Sequence, residues 1–411
     1  MLSDEATPVV RATLPVVGAA IGEIAELFYR KLFDAHPELL RDLFNRGNQA
    51  NGEQRQALAG SIAAFAGMLL ERPDTRPDAM LTRIAHKHAS LGISSDQYKV
   101  VHRHLFAAIA EVLGDAVTPS VAAAWDEVYW LMANALIAIE ARLYERAGVA
   151  EGEVWRRMVV TGRRQETPDA ISLTLRPADG DGDGPAGAFR PGQYVSVGVR
   201  LADGARQIRQ YSLSGAPGLP EWRITVKRVA DGAGPDGEVS TWLHAHATPG
   251  DVLEVSAPFG DLVLPAGDGP LLLASAGIGG TPMLAMLHRL AADRAAGGPA
   301  RRLVVVHADR EPGHHAHRTE LRRLVEELPQ AELHLWYEAG ADAVDGHHEG
   351  GRAVVRRGRA DLGAVALPDG LTAYLCGPLP FMRAVRGDLL RRGVPAEAVR
   401  YEVFGPDLWR A

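Results

Sequence analysis

The hydrophobic rhythm of this chain changes twice. Over residues 1–147 apolar positions recur at helical spacing. Ile21, Ile24, Phe28 and Leu32 lie on one helix face, and Leu58, Ile62, Phe65 and Leu69 on another. Val121, Trp125, Val128, Met132, Leu136, Ile139 and Leu143 form a longer stripe. Ser94 followed by Gln97 reads as a capping box ahead of a helix through Val112. Strand-like alternation is scarce, so this third is expected to be all-α. Near Gly148 short strand-like runs take over, at 154–160, 171–175, 194–199 and 222–226. Turns at Arg190-Pro191-Gly192-Gln193 and Pro249-Gly250-Asp251 punctuate them, as in a small antiparallel barrel. From about Gly269 strands alternate with helices, which predicts a parallel α/β sheet. The expected division is 1–147, 150–265 and 268–411. Asp179 to Gly187 reads as a loop tip, and Asp342 to Arg359, with His347 and His348, as a variable surface loop rather than a metal site.

A length of 411 residues calls for two or three cores. Lys and Arg number 44 against 51 Asp and Glu, a net charge of −7, which implies no nucleic-acid partner. The single cysteine, Cys376, excludes an intrachain disulfide and a cysteine-based zinc or iron–sulfur centre. The acidic start Met1-Leu2-Ser3-Asp4-Glu5 lacks the basic and apolar regions of a signal peptide. No apolar run is expected to reach the roughly 18 residues of a membrane span. The expectation is a cytoplasmic protein, monomeric, with small-molecule partners.

The candidate chemistry of the helical third centres on His88, which continues the stripe of Leu81 and Ile84. Haem iron needs an axial donor facing an apolar cavity. On pattern alone His88 equally fits a satisfied core histidine, and His86 falls off the stripe. Glu140 lies on the stripe of Met132, Leu136 and Leu143, where a carboxylate is costly unless paired. It could take the second N–H of an iron-bound imidazole, with Tyr98 holding it. Tyr29 and Gln54 share faces with apolar residues and could hydrogen-bond a gas in the cavity, and Phe44 could wedge against a porphyrin.

In the rest of the chain, Arg209-Gln210-Tyr211-Ser212, after a barrel strand, offers a guanidinium for a flavin phosphate, a ring to cover isoalloxazine and a hydroxyl for its nitrogen edge. It is flanked by Arg190-Pro191-Gly192-Gln193-Tyr194 and by Gly237-Glu238-Val239-Ser240-Thr241-Trp242-Leu243, with Gly237 and Ser240 foremost, a stretch whose backbone and helix start suit a pyrophosphate. Gly277-Ile278-Gly279-Gly280-Thr281-Pro282 stands between strand and helix, where a nucleotide loop belongs, though a glycine turn of any α/β protein looks the same. Cys376-Gly377-Pro378 forms a second loop at that edge, with Cys376 either flanking the nicotinamide or simply buried.

Four stretches of the helical third resemble the globin domain of bacterial and fungal flavohaemoglobins: FYRKLFDAHPEL (28–39), LFNRGNQANGEQRQAL (43–58), IAHKHASLGI (84–93) and ANALIAIEARLY (133–144). The remaining motifs resemble the ferredoxin–NADP reductase superfamily. The resemblance implies His88 as proximal iron ligand, Tyr29, Gln54 and Leu58 on the distal side, Tyr98 and Glu140 as proximal relay, and Lys87 as a tuner of redox potential. It also implies that the C-terminal Val403-Phe404-Gly405-Pro406 puts Phe404 near the flavin, with Val403 where many relatives carry cysteine. The implied cofactors are haem b, FAD and NAD(P)H. The implied activity is nitric oxide dioxygenation, turning NO and O2 into nitrate. Two other readings stay open: an O2 or NO carrier or sensor with its own reductase, and a generic NAD(P)H:flavin or ferric reductase.

Overall fold

In the computed structural model, residues 1–50, 52–72, 78–178, 186–230, 235–340 and 352–405 are described. The His347-His348 pair, most of the 179–187 tip and Pro406 lie outside them. Contacts divide the chain into two compact units. The first holds Met1–Trp155 with Gly198–Arg209, and the second Arg156–Val197 with Gln210–Gly405.

The helices of the first unit are α1 (Ala6–Ala35), α2 (Pro37–Asp42), α3 (Arg46–Ala50), α4 (Glu53–Glu71), α5 (Asp78–Leu91), α6 (Ser95–Leu113) and α7 (Pro119–Ala147). The sequence stripes are their inner faces: Ile24, Leu32, Phe65, Leu81, Leu105, Trp125 and Leu136 are buried. α1 packs on α4, α6 and α7, and α5 packs on α7. The capping box forms as expected, with Ser94 N–H donating to Gln97 Oε1 at 3.0 Å. α7 begins at Thr118, whose hydroxyl accepts from Val121 N at 3.3 Å, with Pro119 at the first helical position. Helix α1 is, by length and composition alone, long and apolar enough to cross a membrane. Arg11, Glu23 and Glu26 interrupt its apolar run, and its buried face belongs to the bundle.

The barrel strands are β1 (Trp155–Thr167), β2 (Ala170–Pro177), β3 (Tyr194–Arg200), β4 (Arg206–Ser212), β5 (Trp222–Lys227) and β6 (Val252–Ser256), with α8 (Glu238–His246) before β6. Their order is β4-β3-β6-β1-β2-β5, antiparallel where β1 meets β2 and β2 meets β5. A bridge from Leu213, just beyond β4, to Ile224 of β5 brings the two edges together. The Arg209–Ser212 motif lies within a strand, not after one.

The α/β part comprises β7 (Leu271–Ala276), α9 (Gly280–Ala295), β8 (Leu303–Asp309), α10 (Arg318–Glu326), β9 (Ala331–Tyr337), β10 (Ala353–Arg357), β11 (Thr372–Cys376), α11 (Leu379–Arg391) and β12 (Val399–Glu402). Every pair in the order β10-β9-β8-β7-β11-β12 is parallel. β10 corrects the reading of 342–359 as loop throughout: its half-exposed edge position leaves too weak an apolar signal. From β7 the chain proceeds to β8 on one side and returns at β11 on the other. That reversal makes a topological switch point, and ligands of open α/β sheets bind at such a crevice.

Replacing Ser94 by Ala removes one side of the capping box. The expected cost is about 1 kcal/mol of stability, read as a lower midpoint in thermal denaturation followed by helical circular dichroism.

Candidate functional site

Three helices of the first unit meet at one carboxylate. Glu140 of α7 is 3% exposed. Its Oε1 accepts from the Tyr98 hydroxyl of α6 at 2.7 Å and from Nδ1 of His88 on α5 at 2.9 Å. The Tyr98 hydroxyl also stands 2.9 Å from that Nδ1. Burial, reinforced by the Glu140 charge, pushes the Tyr98 hydroxyl far above its ordinary pKa, so it stays a donor. With the ring proton drawn to Nδ1, the lone pair lies on Nε2, and His88 is half-buried rather than sealed in the core. A neutral imidazole held through its far nitrogen by a carboxylate is the donor a haem iron takes. Lys87, beside it, is also half-buried.

On α1, Tyr29 is buried and ringed by aromatic groups: Phe28 at 4.8 Å, Phe33 at 5.6 Å and Phe44 at 5.9 Å between ring centroids. Burial raises the pKa of its hydroxyl against the opposing hydrogen bonds of Gln54 and Gln49, so it too remains protonated. Gln54 and Leu58 are half-buried on α4. Gln49, on the short α3, is an addition to the expected set; it sits in a five-residue helix where no stripe could single it out. An apolar cavity among α1, α4, α6 and α7 is lined by residues including Ile24, Phe65, Leu105 and Met132. Two lining residues turn their polar tips elsewhere: Trp125 Nε1 donates to Thr13 Oγ1 at 3.0 Å, and the Tyr129 hydroxyl to the Tyr98 carbonyl at 2.6 Å. An apolar cavity of this kind suits an uncharged gas.

In the barrel, Tyr194 is buried against Gly260. On β4, Arg209 donates to the Ile208 carbonyl at 2.8 Å and Gln210 to Ser196 Oγ at 2.9 Å; Tyr211 is half-buried and Ser212 buried. The turn into α8 has the character of an anion cradle. A Cβ on Gly237 would come within 2.7 Å of Ser240 Oγ and 2.8 Å of Val229 Cβ, so only glycine lets the turn close. The Ser240 hydroxyl is committed to that turn, accepting from Val229 N at 3.1 Å and donating to the Gly237 carbonyl at 3.1 Å. Thr241, one residue on, has a buried hydroxyl with no hydrogen-bond partner among the described residues. An orphaned hydroxyl in the first turn of a helix fits a phosphate oxygen, and it belongs to Thr241, inside the expected stretch, rather than to Ser240.

At the switch point of the parallel sheet, Gly277–Gly279 forms a tight turn and α9 starts at Gly280, carrying Thr281 and Pro282 in its first turn. The Thr281 hydroxyl donates to the Ile278 carbonyl at 2.9 Å. A Cβ on Gly279 would lie 2.4 Å from the Cys376 carbonyl oxygen, so the loops after β7 and β11 interlock through backbone contact, with Gly377 and Pro378 directly beyond. The Cys376 thiol itself points into the core beside Leu273 and Tyr374, fully buried. Burial, with Glu402 nearby, pushes its pKa well above the ordinary value. Its contribution to this edge is therefore a carbonyl rather than a thiol. His307 of β8 supports the loop from below: its Nδ1 lies 2.9 Å from Ser275 Oγ, and its ring stands 3.4 Å from where a Gly280 Cβ would be. Beyond β12, Val403 is half-buried, while Phe404 and Gly405 are exposed.

Comparison with known proteins agrees with this arrangement. The globin family model matches residues 26–136, and the oxidoreductase NAD-binding domain model matches residues 273–387. A flavohemoprotein of Rhizobium meliloti is 40% identical over the full length of both chains. The crystal structure of a flavohemoglobin from Malassezia yamatoensis with bound FAD and heme superimposes with a TM-score of 0.86 at 37% identity, covering 98% of this chain and 100% of that one. The FAD/NAD-binding domain of a nitric oxide dioxygenase from Vibrio cholerae matches with a TM-score of 0.54 at 34% identity, covering 62% of this chain and all of that one.

Two outcomes are expected. His88→Ala should abolish the Soret band while leaving the bound FAD per chain unchanged, read from one absorption spectrum. Cys376 should resist a disulfide exchange reagent in the native protein and react fully once the chain is unfolded in guanidinium.

Proposed function

Because this chain belongs to the flavohemoprotein family, oxidoreductases with globin, FAD and NAD-binding parts, we propose that it is a nitric oxide dioxygenase, converting NO and O2 to nitrate at the expense of NAD(P)H. The observation that carries the reading is the His88–Glu140–Tyr98 cluster. A carrier needs an iron ligand. A ligand whose far nitrogen is drawn by a buried carboxylate is a stronger electron donor, which is what oxygen activation asks of it. The naming of the Vibrio cholerae relative points the same way.

When bound, haem supplies gas binding and one-electron chemistry, and FAD turns a hydride into single electrons. The chain's residues set the conditions. Glu140 keeps the His88 proton on Nδ1, and Tyr98 holds Glu140 in place. Tyr29, kept protonated by burial and braced by Gln54 and Gln49, offers a hydroxyl to the gas side. The Gly237 turn with Thr241 holds the flavin pyrophosphate. The interlocked loops at Gly277–Pro282 and Gly377–Pro378 receive the dinucleotide. Phe404, exposed next to the last strand, is positioned to cover an aromatic ring system.

In aerobic buffer, adding nitric oxide should sharply accelerate NADH oxidation, with nitrate formed in step. Tyr29→Phe should lower that stimulated rate by at least about tenfold, as loss of a pre-placed donor does. No stimulation and no nitrate would instead support gas carriage.

A further inference from the structure

Within the second unit a chain of polar side chains runs from the end of the flavin-motif strand to the helix that starts at the dinucleotide loop. Its hub is Glu320, in the first turn of α10. Arg223 of β5 grips that carboxylate with both terminal nitrogens, Nη1 to Oε2 and Nη2 to Oε1, each at 3.0 Å. His288 of α9 reaches Glu320 Oε1 at 2.6 Å. On the barrel side the same Arg223 guanidinium donates to Ser214, through Nε to the hydroxyl at 3.3 Å and through Nη2 to the carbonyl at 2.5 Å. Ser214 lies two residues past Ser212 of the flavin motif, and His288 lies on α9, which begins at Gly280 of the dinucleotide loop. Burial works to raise the Glu320 pKa. The hydrogen bonds from His288, His317 and Arg223, with the Arg223 charge, outweigh it and hold the carboxyl far below the usual carboxylate range.

A second strand of the same network passes through His317. Its backbone has φ of 60°, the one left-handed non-glycine residue among those described. That conformation is strained for a residue with a side chain and persists only where the surroundings impose it. The imposing contacts are visible. The His317 side chain is 1% exposed, with Nε2 at 2.8 Å from Thr225 Oγ1 on β5 and Nδ1 at 3.2 Å from Glu320 and 3.4 Å from Glu166 of β1. Arg164 also faces Nδ1, at 3.3 Å. Two half-buried carboxylates, one from the barrel and one from the α/β part, thus converge on one strained histidine. Packing the barrel against the α/β part with apolar side chains would save the cost of burying these charges. What the polar network adds is a fixed geometry, since charged hydrogen bonds tolerate little sliding.

Hydride transfer has that need. The reacting atoms must come to about 3–3.5 Å, and a misplacement of about 1 Å costs on the order of a hundredfold in rate. We propose that Glu320 is a positioning residue for hydride transfer, tying the end of the flavin strand through Arg223 and Ser214 to the dinucleotide helix through His288. The inference rests on the reductase half of the reading above and is independent of nitric oxide as substrate.

The test uses the full-length chain loaded with haem and FAD, and the variant Glu320→Gln. Flavin reduction by NADH is followed without oxygen by stopped flow, per bound FAD. The rate should fall about tenfold or more, while the NADH concentration for half-saturation stays within about threefold. The deuterium isotope effect with 4-deuterated NADH should rise, and amide hydrogen exchange should quicken over residues 317–326 and 222–227. Glu320→Asp should recover part of the rate. An unchanged rate, or a fall only in proportion to lost FAD, overturns the proposal. Should Glu320→Gln fail to fold, His288→Gln removes one bond to the same carboxylate, and an unchanged reduction rate there is equally fatal. Failure of the nitric oxide reading looks different: flavin reduction would stay fast in the unaltered chain, with no nitric oxide-stimulated oxidation.

Discussion

A carboxylate cannot be buried without partners, and the helical unit is organised around meeting that requirement once. Glu140 sits in the C-terminal half of α7 and is all but sealed from water. An isolated charge there would cost several kcal/mol. Tyr98 and His88 supply the two hydrogen bonds that make it tolerable, so α5, α6 and α7 must approach in one register. The arrangement that stabilises Glu140 is also the one that fixes the His88 tautomer. Structure and chemistry here are the same three hydrogen-bonding groups viewed from opposite ends.

The second unit, on the function proposed above, solves a different problem, that of bringing backbone close to anionic ligands. It does so by leaving side chains out. Gly279 permits the loop after β7 to lie on the carbonyl of Cys376, and Gly237 lets the α8 turn close on Ser240. Both positions stand at the beginning of a helix, where N–H groups are unsatisfied by the helix itself. The polar network of Arg223, Glu320, His288 and His317 then holds barrel strands and dinucleotide helices in one unit.

Much of this was legible in the sequence, for reasons that differ by element. Periodicity placed His88 and Glu140 on apolar stripes, and a charged or polar residue on such a stripe announces itself. Glycine loops after strands marked the edge of the parallel sheet where the turns after β7 and β11 meet. Other features carried no such signal. Gln49 lies in a helix of five residues, too short for a period. Thr241 matters because its hydroxyl lacks a partner, which only three dimensions reveal. The direction of the Cys376 side chain depends on strand register, and the sequence alone suggested both a ligand and a core role. The half-exposed edge strand β10 merged with its neighbouring loop. Arg223 and Glu320 are nearly a hundred residues apart and read as ordinary surface charges until the fold pairs them.

The strand order of the parallel sheet also bears on how this protein is made. β7 pairs on one side with β8, its immediate successor, but on the other with β11, where Leu271 meets Thr372 and Ser275 meets Cys376. Contacts between such distant parts of a chain form late, because closing the intervening loop costs entropy before any pairing rewards it. On the ribosome the crevice between β7 and β11 therefore stays open on one flank until β11 has emerged. A nascent chain halted between β7 and β11 would display the unpaired edge of β7, an apolar strand, a surface that chaperones bind and that aggregates recruit.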